Sequence, residues 1–162
     1  VMGHVGLTPQ TATALGGLRA QGRTASQAIR VAEDAIALDQ AGCFAIVIEA
    51  VPQAVSELIV QNLDAPTIGI GAGNATAGQV LVLHDLAGIN SGHMAKFVKR
   101  YADVRGEMKK GVSEYVTEVR SGAFPGPEHV YSVEPSELDR LRQRLNREDL
   151  ESNYSWDWEP LP

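Results

Sequence analysis

Two short apolar runs in this chain end on side chains suited to proton chemistry. Residues Val1 to Gln10 read Val-Met-Gly-His-Val-Gly-Leu-Thr-Pro-Gln and carry His4. Residues Cys43 to Pro52 read Cys-Phe-Ala-Ile-Val-Ile-Glu-Ala-Val-Pro and carry Glu49. The second run is apolar from Phe44 to Ile48 and then meets a carboxylate, a pattern that predicts a strand buried on both faces. A carboxylate there needs a partner or a raised pKa. In parallel α/β folds ligands bind at the C-terminal ends of strands. Glu49 therefore falls where chemistry is usually done, and His4 falls at the matching place one unit earlier. His84-Asp85 reads as a third polar strand end.

Other candidates point to structure. Gly69, Gly71 and Gly73 have G-x-G-x-G spacing. That is neither the G-x-G-x-x-G of a dinucleotide loop nor a P-loop. The plain reading is a tight βα turn needing positive φ. The functional one is a floor that lets a flat ligand approach the backbone. No pair of residues has metal-ligand spacing, and no G-x-S-x-G or Cys–His pair suggests a nucleophile. Cys43, the single cysteine, excludes an internal disulfide framework and reads as an inert core thiol of a reducing cytoplasm. His93, Lys96, Lys99 and Arg100 read as a solvated helix face.

The elements that would position these groups alternate. Strands are predicted at 1–7, 43–48, 66–70 and 79–84. Helices are predicted at 8–17, 25–41, 52–62, 95–102 and 107–121, with Val55, Leu58 and Ile59 inward on the third. Alternation predicts a parallel sheet with right-handed crossovers. Four strand–helix units are half of a (β/α)8 barrel, and a doubly wound sheet is the rival. Val1-Met-Gly-His reads as the middle of a strand, so the chain is expected to begin partway through a longer polypeptide. Residues 1–131 form the barrel segment. Residues 132–162 form an acidic tail with eight acids against four arginines, a net −4. In that tail Ser136 is a candidate cap, Leu138, Leu141 and Leu145 form a narrow stripe, and Trp156 and Trp158 suit either solvent or a neighbouring subunit.

The 162 residues carry 44% apolar and 21% charged side chains and a net charge of −6. That charge leaves no electrostatic footprint for nucleic acid. No apolar run approaches the ~20 residues of a membrane span.

Several segments together resemble the ketopantoate hydroxymethyltransferase family. They are Met2-Gly-His-Val-Gly-Leu-Thr-Pro-Gln10, Ala41-Gly-Cys-Phe-Ala-Ile-Val-Ile-Glu-Ala-Val-Pro52, Pro66-Thr-Ile-Gly-Ile-Gly-Ala-Gly73, Gly78-Gln-Val-Leu-Val82, Lys96-Phe-Val-Lys-Arg-Tyr101 and Phe124-Pro-Gly-Pro-Glu-His129. The resemblance implies a (β/α)8 barrel of the phosphoenolpyruvate/pyruvate-like superfamily, with this chain as its last four strand–helix units. It implies transfer of a hydroxymethyl group from 5,10-methylenetetrahydrofolate to 3-methyl-2-oxobutanoate, giving 2-dehydropantoate for pantothenate synthesis. It implies Glu49 as base, His4 as a keto-acid contact, and Gly71 and Gly73 near the folate. It further implies Mg²⁺ with ligands outside this chain, a cytoplasmic homo-oligomer (a decamer), and no nucleic-acid or membrane partner. Ala77 departs from the family, which often has an acid just before this Gly-Gln. The alternatives are a 2-oxo-acid lyase of the same superfamily and a non-catalytic half-barrel used for binding or assembly.

Overall fold

Four parallel strands lie side by side in chain order. β1 is Met2–Gly6, β2 is Ala45–Glu49, β3 is Thr67–Ile70 and β4 is Gly78–Gln79, and the sheet order is β1-β2-β3-β4. The computed structural model describes residues 1–14 and 16–145. The helices are α1 Ala25–Gln40, α2 Gln53–Val60, α3 Leu83–Leu86, α4 Val104–Ser121 and α5 Pro135–Leu145. Each strand pairs only with its neighbour in sequence, and every pairing is parallel. A doubly wound sheet reverses its strand order at a switch point, whereas a (β/α)8 barrel adds strands one after another. The sheet is therefore an arc of the barrel type, and the rival topology is excluded.

Local chemistry explains where the first crossover begins and ends. Thr24 caps α1, its Oγ1 accepting from the Gln27 amide at 3.3 Å. Gly42 closes the helix at φ +84°, donating to the Asp39 carbonyl. The Asp39 carboxylate then accepts from the amides of Asp64 at 3.0 Å and Ala65 at 2.9 Å. It thereby ties the end of α1 to the turn that feeds β3. Asp39→Ala leaves both amides without that acceptor. The expected cost is about 2 kcal/mol, read as a lower urea midpoint with an unchanged slope.

From Ile46 onward burial alternates along β2, so this part of the strand is covered mainly on one face and not, as expected, on both. Ile46 and Ile48 are fully buried, whereas Val47 and Glu49 are only partly so. Val5, Ile46 and Ile48 join Val31 and Ala35 of α1, Ile59 of α2, and Val51 in one core. The helices cover that face of the sheet. His4, Val47, Glu49, Ile68 and Ile70 belong to the opposite, less covered face. An uninterrupted apolar sequence hides this difference, because both faces of a barrel strand are apolar. Phe44, read as part of the buried run, precedes β2 and is 64% exposed.

Other elements also differ from expectation. Among the described residues of 8–17 only a 3₁₀ turn forms, Pro9–Thr11, and Gly16 and Gly17 take left-handed φ values of +79° and +103°. Leu58 points outward on α2, whereas Ile59 is buried as expected and Ser56 is buried with it. The strand expected over 79–84 stops at Gln79. Its last ladder bond runs from the Val80 amide to the Gly69 carbonyl, and β3 turns away at Gly71, so later residues have no neighbour to pair with. His84 and Asp85 consequently sit on the short helix α3, not at a strand end. No helix forms over 95–102. The Tyr101 and Val104 amides donate to the Leu86 and Ala87 carbonyls rather than within a helix.

Two compact units divide within α4, the first being Val1–Lys110 and the second beginning at Gly111. In the second unit Phe124 packs edge-on against Tyr115, with ring centroids 5.5 Å apart, and tilts against His129. Helix α5 starts at Pro135, so Ser136 lies in its first turn rather than at its cap. Pairs Arg140–Glu137 and Arg142–Asp139 line this helix, while Leu141 and Leu145 are exposed. Trp156 and Trp158 lie outside the described residues.

Candidate active site

The register of the sheet brings the two proton-bearing groups together. Gly6 of β1 lies beside Glu49 of β2, and His4 lies beside Val47. Side chains two residues apart on a strand share a face, so His4 and Glu49 project from the same side of adjacent strands. Their side chains meet with His4 Nε2 3.0 Å from Glu49 Oε2. The approach angle is not that of a hydrogen bond, and His4 Nε2 is buried without another partner. The contact is a close approach of imidazole to carboxylate. Glu49 is 15% exposed through its side chain and His4 30%.

The backbone around Glu49 is unusually constrained. Ala50 has φ +50°, a left-handed conformation that costs a non-glycine residue energy. Three bonds hold it there. The Ala50 amide donates to the Ile70 carbonyl at 2.8 Å, the Leu7 amide donates to the Glu49 carbonyl at 2.8 Å, and the Gln21 amide donates to the Ala50 carbonyl at 2.9 Å. Gly6 is at φ +87°, and a Cβ there would lie 2.3 Å from the Glu49 carbonyl oxygen. The chain thus folds tightly around the end of β2 and aims the carboxylate off the sheet rim.

A cleft of about 960 Å³ opens at that rim. Glu49, Ala50, Val51, Pro52, Gly71 and Gly73 form its base, and Leu7, Phe97 and Leu18 add apolar walls. His4 is not among the lining residues and reaches the cleft through Glu49. Gly71 and Gly73 do line it, at φ +66° and +78°. Close packing accounts for both glycines. A Cβ on Gly71 would stand 2.4 Å from the Phe97 ring, and one on Gly73 would stand 2.5 Å from Gln53 Cγ. The loop is further tied by Gln79 Nε2, which donates to the Gly73 carbonyl at 2.8 Å.

Several cleft residues escaped the sequence reading. Arg19 and Arg23 lie on the loop before α1, and His93 and Lys96 come from the segments after β4, while Asp85, read as a polar strand end, lines the cleft from α3 instead. His93 and Lys96 had been expected on a solvated helix face. Both lie on irregular backbone, and both line the cleft. The one sequence signal for them is Gly92 beside His93, which argues against a helix. His84, the neighbour of Asp85, is exposed. Among the described residues no group of three or more His, Cys, Asp or Glu side chains could hold a metal ion.

A sequential parallel sheet with a cleft at its C-terminal rim defines an enzyme segment of the (β/α)8 class. The chain belongs to the ketopantoate hydroxymethyltransferase family, whose profile matches residues 1–127. It is 52% identical over 133 residues to the 3-methyl-2-oxobutanoate hydroxymethyltransferase of Methylobacterium sp. (strain 4-46), covering 82% of this chain and 46% of that protein. With the protein of the same name from Oleidesulfovibrio alaskensis it shares 48% identity over 149 residues, covering 92% of this chain and 52% of the relative. A third, from Nitratidesulfovibrio vulgaris (strain DP4), is 46% identical over 147 residues, covering 91% of this chain and 48% of the relative. The chain spans about half the length of the curated relatives it matches.

Proposed function

We propose that this chain supplies the base of a hydroxymethyltransferase acting on 3-methyl-2-oxobutanoate, with 5,10-methylenetetrahydrofolate as one-carbon donor and 2-dehydropantoate as product. The observation that carries this reading is the Glu49–His4 pair at the mouth of the cleft, 3.0 Å apart. C3 of a 2-oxo acid becomes a nucleophile only after its proton is removed. Glu49 takes that proton, and the electron pair moves onto the keto oxygen as an enolate. C3 then forms a bond to the methylene carbon of the folate, whose carbon–nitrogen bonds break. One water supplies the oxygen of the new hydroxyl, and tetrahydrofolate leaves. His4 keeps the Glu49 carboxylate oriented and gives its proton a second place to rest.

The Mg²⁺ expected from the family has no ligand set among the described residues. Its ligands belong, on this reading, to the part of the family's length that this chain does not span. A cytoplasmic homo-oligomer, decameric by family resemblance, is part of the same reading. It accords with the single cysteine. No helix among the described residues is long and apolar enough to cross a membrane.

The test is isotopic. The family-length protein is given donor labelled with ¹³C at the methylene carbon, together with the unlabelled keto acid. Label appearing in the hydroxymethyl carbon of 2-dehydropantoate supports the proposal. Label retained in the folate, with the keto acid unchanged, defeats it.

A further inference from the structure

Glu49 is not the only carboxylate on the cleft. Asp85 also lines it, as the third of the four residues of α3. Its orientation is fixed through one oxygen. Asn90 Nδ2 donates to Asp85 Oδ1 at 2.6 Å, and Asn90 is itself held by Arg100 Nη2, which donates to its carbonyl at 3.1 Å. The Asn90 amide donates in turn to the His84 carbonyl. Asp85 forms no ion pair among the described residues, and Oδ2 has no protein donor there. Glu49, by contrast, already faces His4.

A half-buried carboxylate without a cation is suited to accept from a ligand with adjacent N–H donors, because its two oxygens can receive two bonds side by side. Arg19, Arg23 and Lys96 on the same cleft have only donors to offer and cannot serve such an edge. Phe97 supplies the second half of a seat. Its ring lies against the bare backbone of Gly71, so it is held as a flat apolar wall of the same cleft. A flat ring can lie along such a wall.

We propose that Asp85 and Phe97 seat the pterin ring of the folate co-substrate, Asp85 accepting from the ring N3–H and the 2-amino group while the ring lies along Phe97. This deepens the reading above and rests on it. The seat and Glu49 open into one cleft, so a donor held by its pterin edge presents its one-carbon end on the Glu49 side. Asp85 is thus a specificity-determining residue and takes no proton in the reaction.

The test uses the family-length protein, tetrahydrofolate, and its 2-desamino-2-methyl analogue, with equilibrium binding as the readout. Asp85→Asn keeps an oxygen for Asn90 and puts an amide donor against the ligand's donors. It is expected to weaken tetrahydrofolate binding about 100-fold, as the loss of a paired charged acceptor does. The analogue is expected to bind the unsubstituted protein about 100-fold more weakly than tetrahydrofolate. It should lose little more on the variant, because the variant and the analogue remove the same interaction. Unchanged tetrahydrofolate affinity in a normally folded Asp85→Asn protein would overturn the proposal. So would losses from variant and analogue that multiply independently, or an equal loss of keto-acid binding, which would mark a general structural role. Failure of the proposed function itself shows separately, as an unsubstituted protein that does not transfer the labelled carbon.

Discussion

Replacing Gly6 by alanine is expected to destabilise the first unit by about 4 kcal/mol. Two independent costs add. At φ +87° an L side chain is strained wherever it finds space. Here it also finds none. The new Cβ would lie 2.3 Å from the Glu49 carbonyl oxygen and 2.7 Å from Val51 Cγ2. A flexible side chain could swing away, but the Glu49 carbonyl is fixed by the Leu7 amide at 2.8 Å. Relief must come from separating the ends of β1 and β2, which breaks that bond and pulls His4 from Glu49. Chemical denaturation of the variant should show a large fall in midpoint. Gly78→Ala is a fair control, since a Cβ there meets nothing within 4 Å. A Gly6→Ala midpoint near that of the control would contradict the packing described at the rim.

The place of Glu49 at the end of β2 was legible in the sequence because its neighbours are so apolar. A carboxylate directly after Ala-Ile-Val-Ile has few explanations. Its position at the end of a parallel strand, opposite the end of β1, follows from topology alone. The pairing with His4 was not legible, since it depends on a register in which Gly6, not His4, stands beside Glu49. The alternating burial of β2 was hidden for a related reason. Val47 is as apolar as Ile46 and Ile48, and composition does not say which face the helices take.

Residues 79–104 were read least well, and the cause is again tertiary. Val80, Leu81, Val82 and Leu83 have the β-branched and aliphatic character of a strand. The turn at Gly71 ends β3 before it can offer them a partner. The chain folds instead into α3 and an irregular stretch whose amides bond to Leu86 and Ala87. That rearrangement puts Asp85, His93, Lys96 and Phe97 on the cleft. Asp85 was read as a polar strand end, but nothing in the type or spacing of His93, Lys96 and Phe97 put them on the cleft, and the path of the backbone does.

Glu49→Gln is expected to slow removal of the C3 proton from 3-methyl-2-oxobutanoate by about 10³-fold, within the range a positioned base contributes. Glutamine matches glutamate in size and keeps an oxygen near His4 Nε2, so the rim should retain its shape. It cannot accept a proton at neutral pH. The comparison therefore isolates basicity from packing, which Glu49→Ala would not do. His4 should remain insufficient alone, because it does not line the cleft where the keto acid would sit. Thermal melting of the two proteins should agree within the net worth of one altered polar contact, about 1 kcal/mol.

The most direct measurement of the central claim is solvent deuterium exchange at C3 of the keto acid, followed by proton NMR with the family-length protein and its Glu49→Gln variant and with folate omitted. Rapid exchange with the unsubstituted protein, and its near-complete loss in a normally folded variant, is the result predicted for Glu49 as the base. Exchange in the variant at the unsubstituted rate would remove Glu49 from that role.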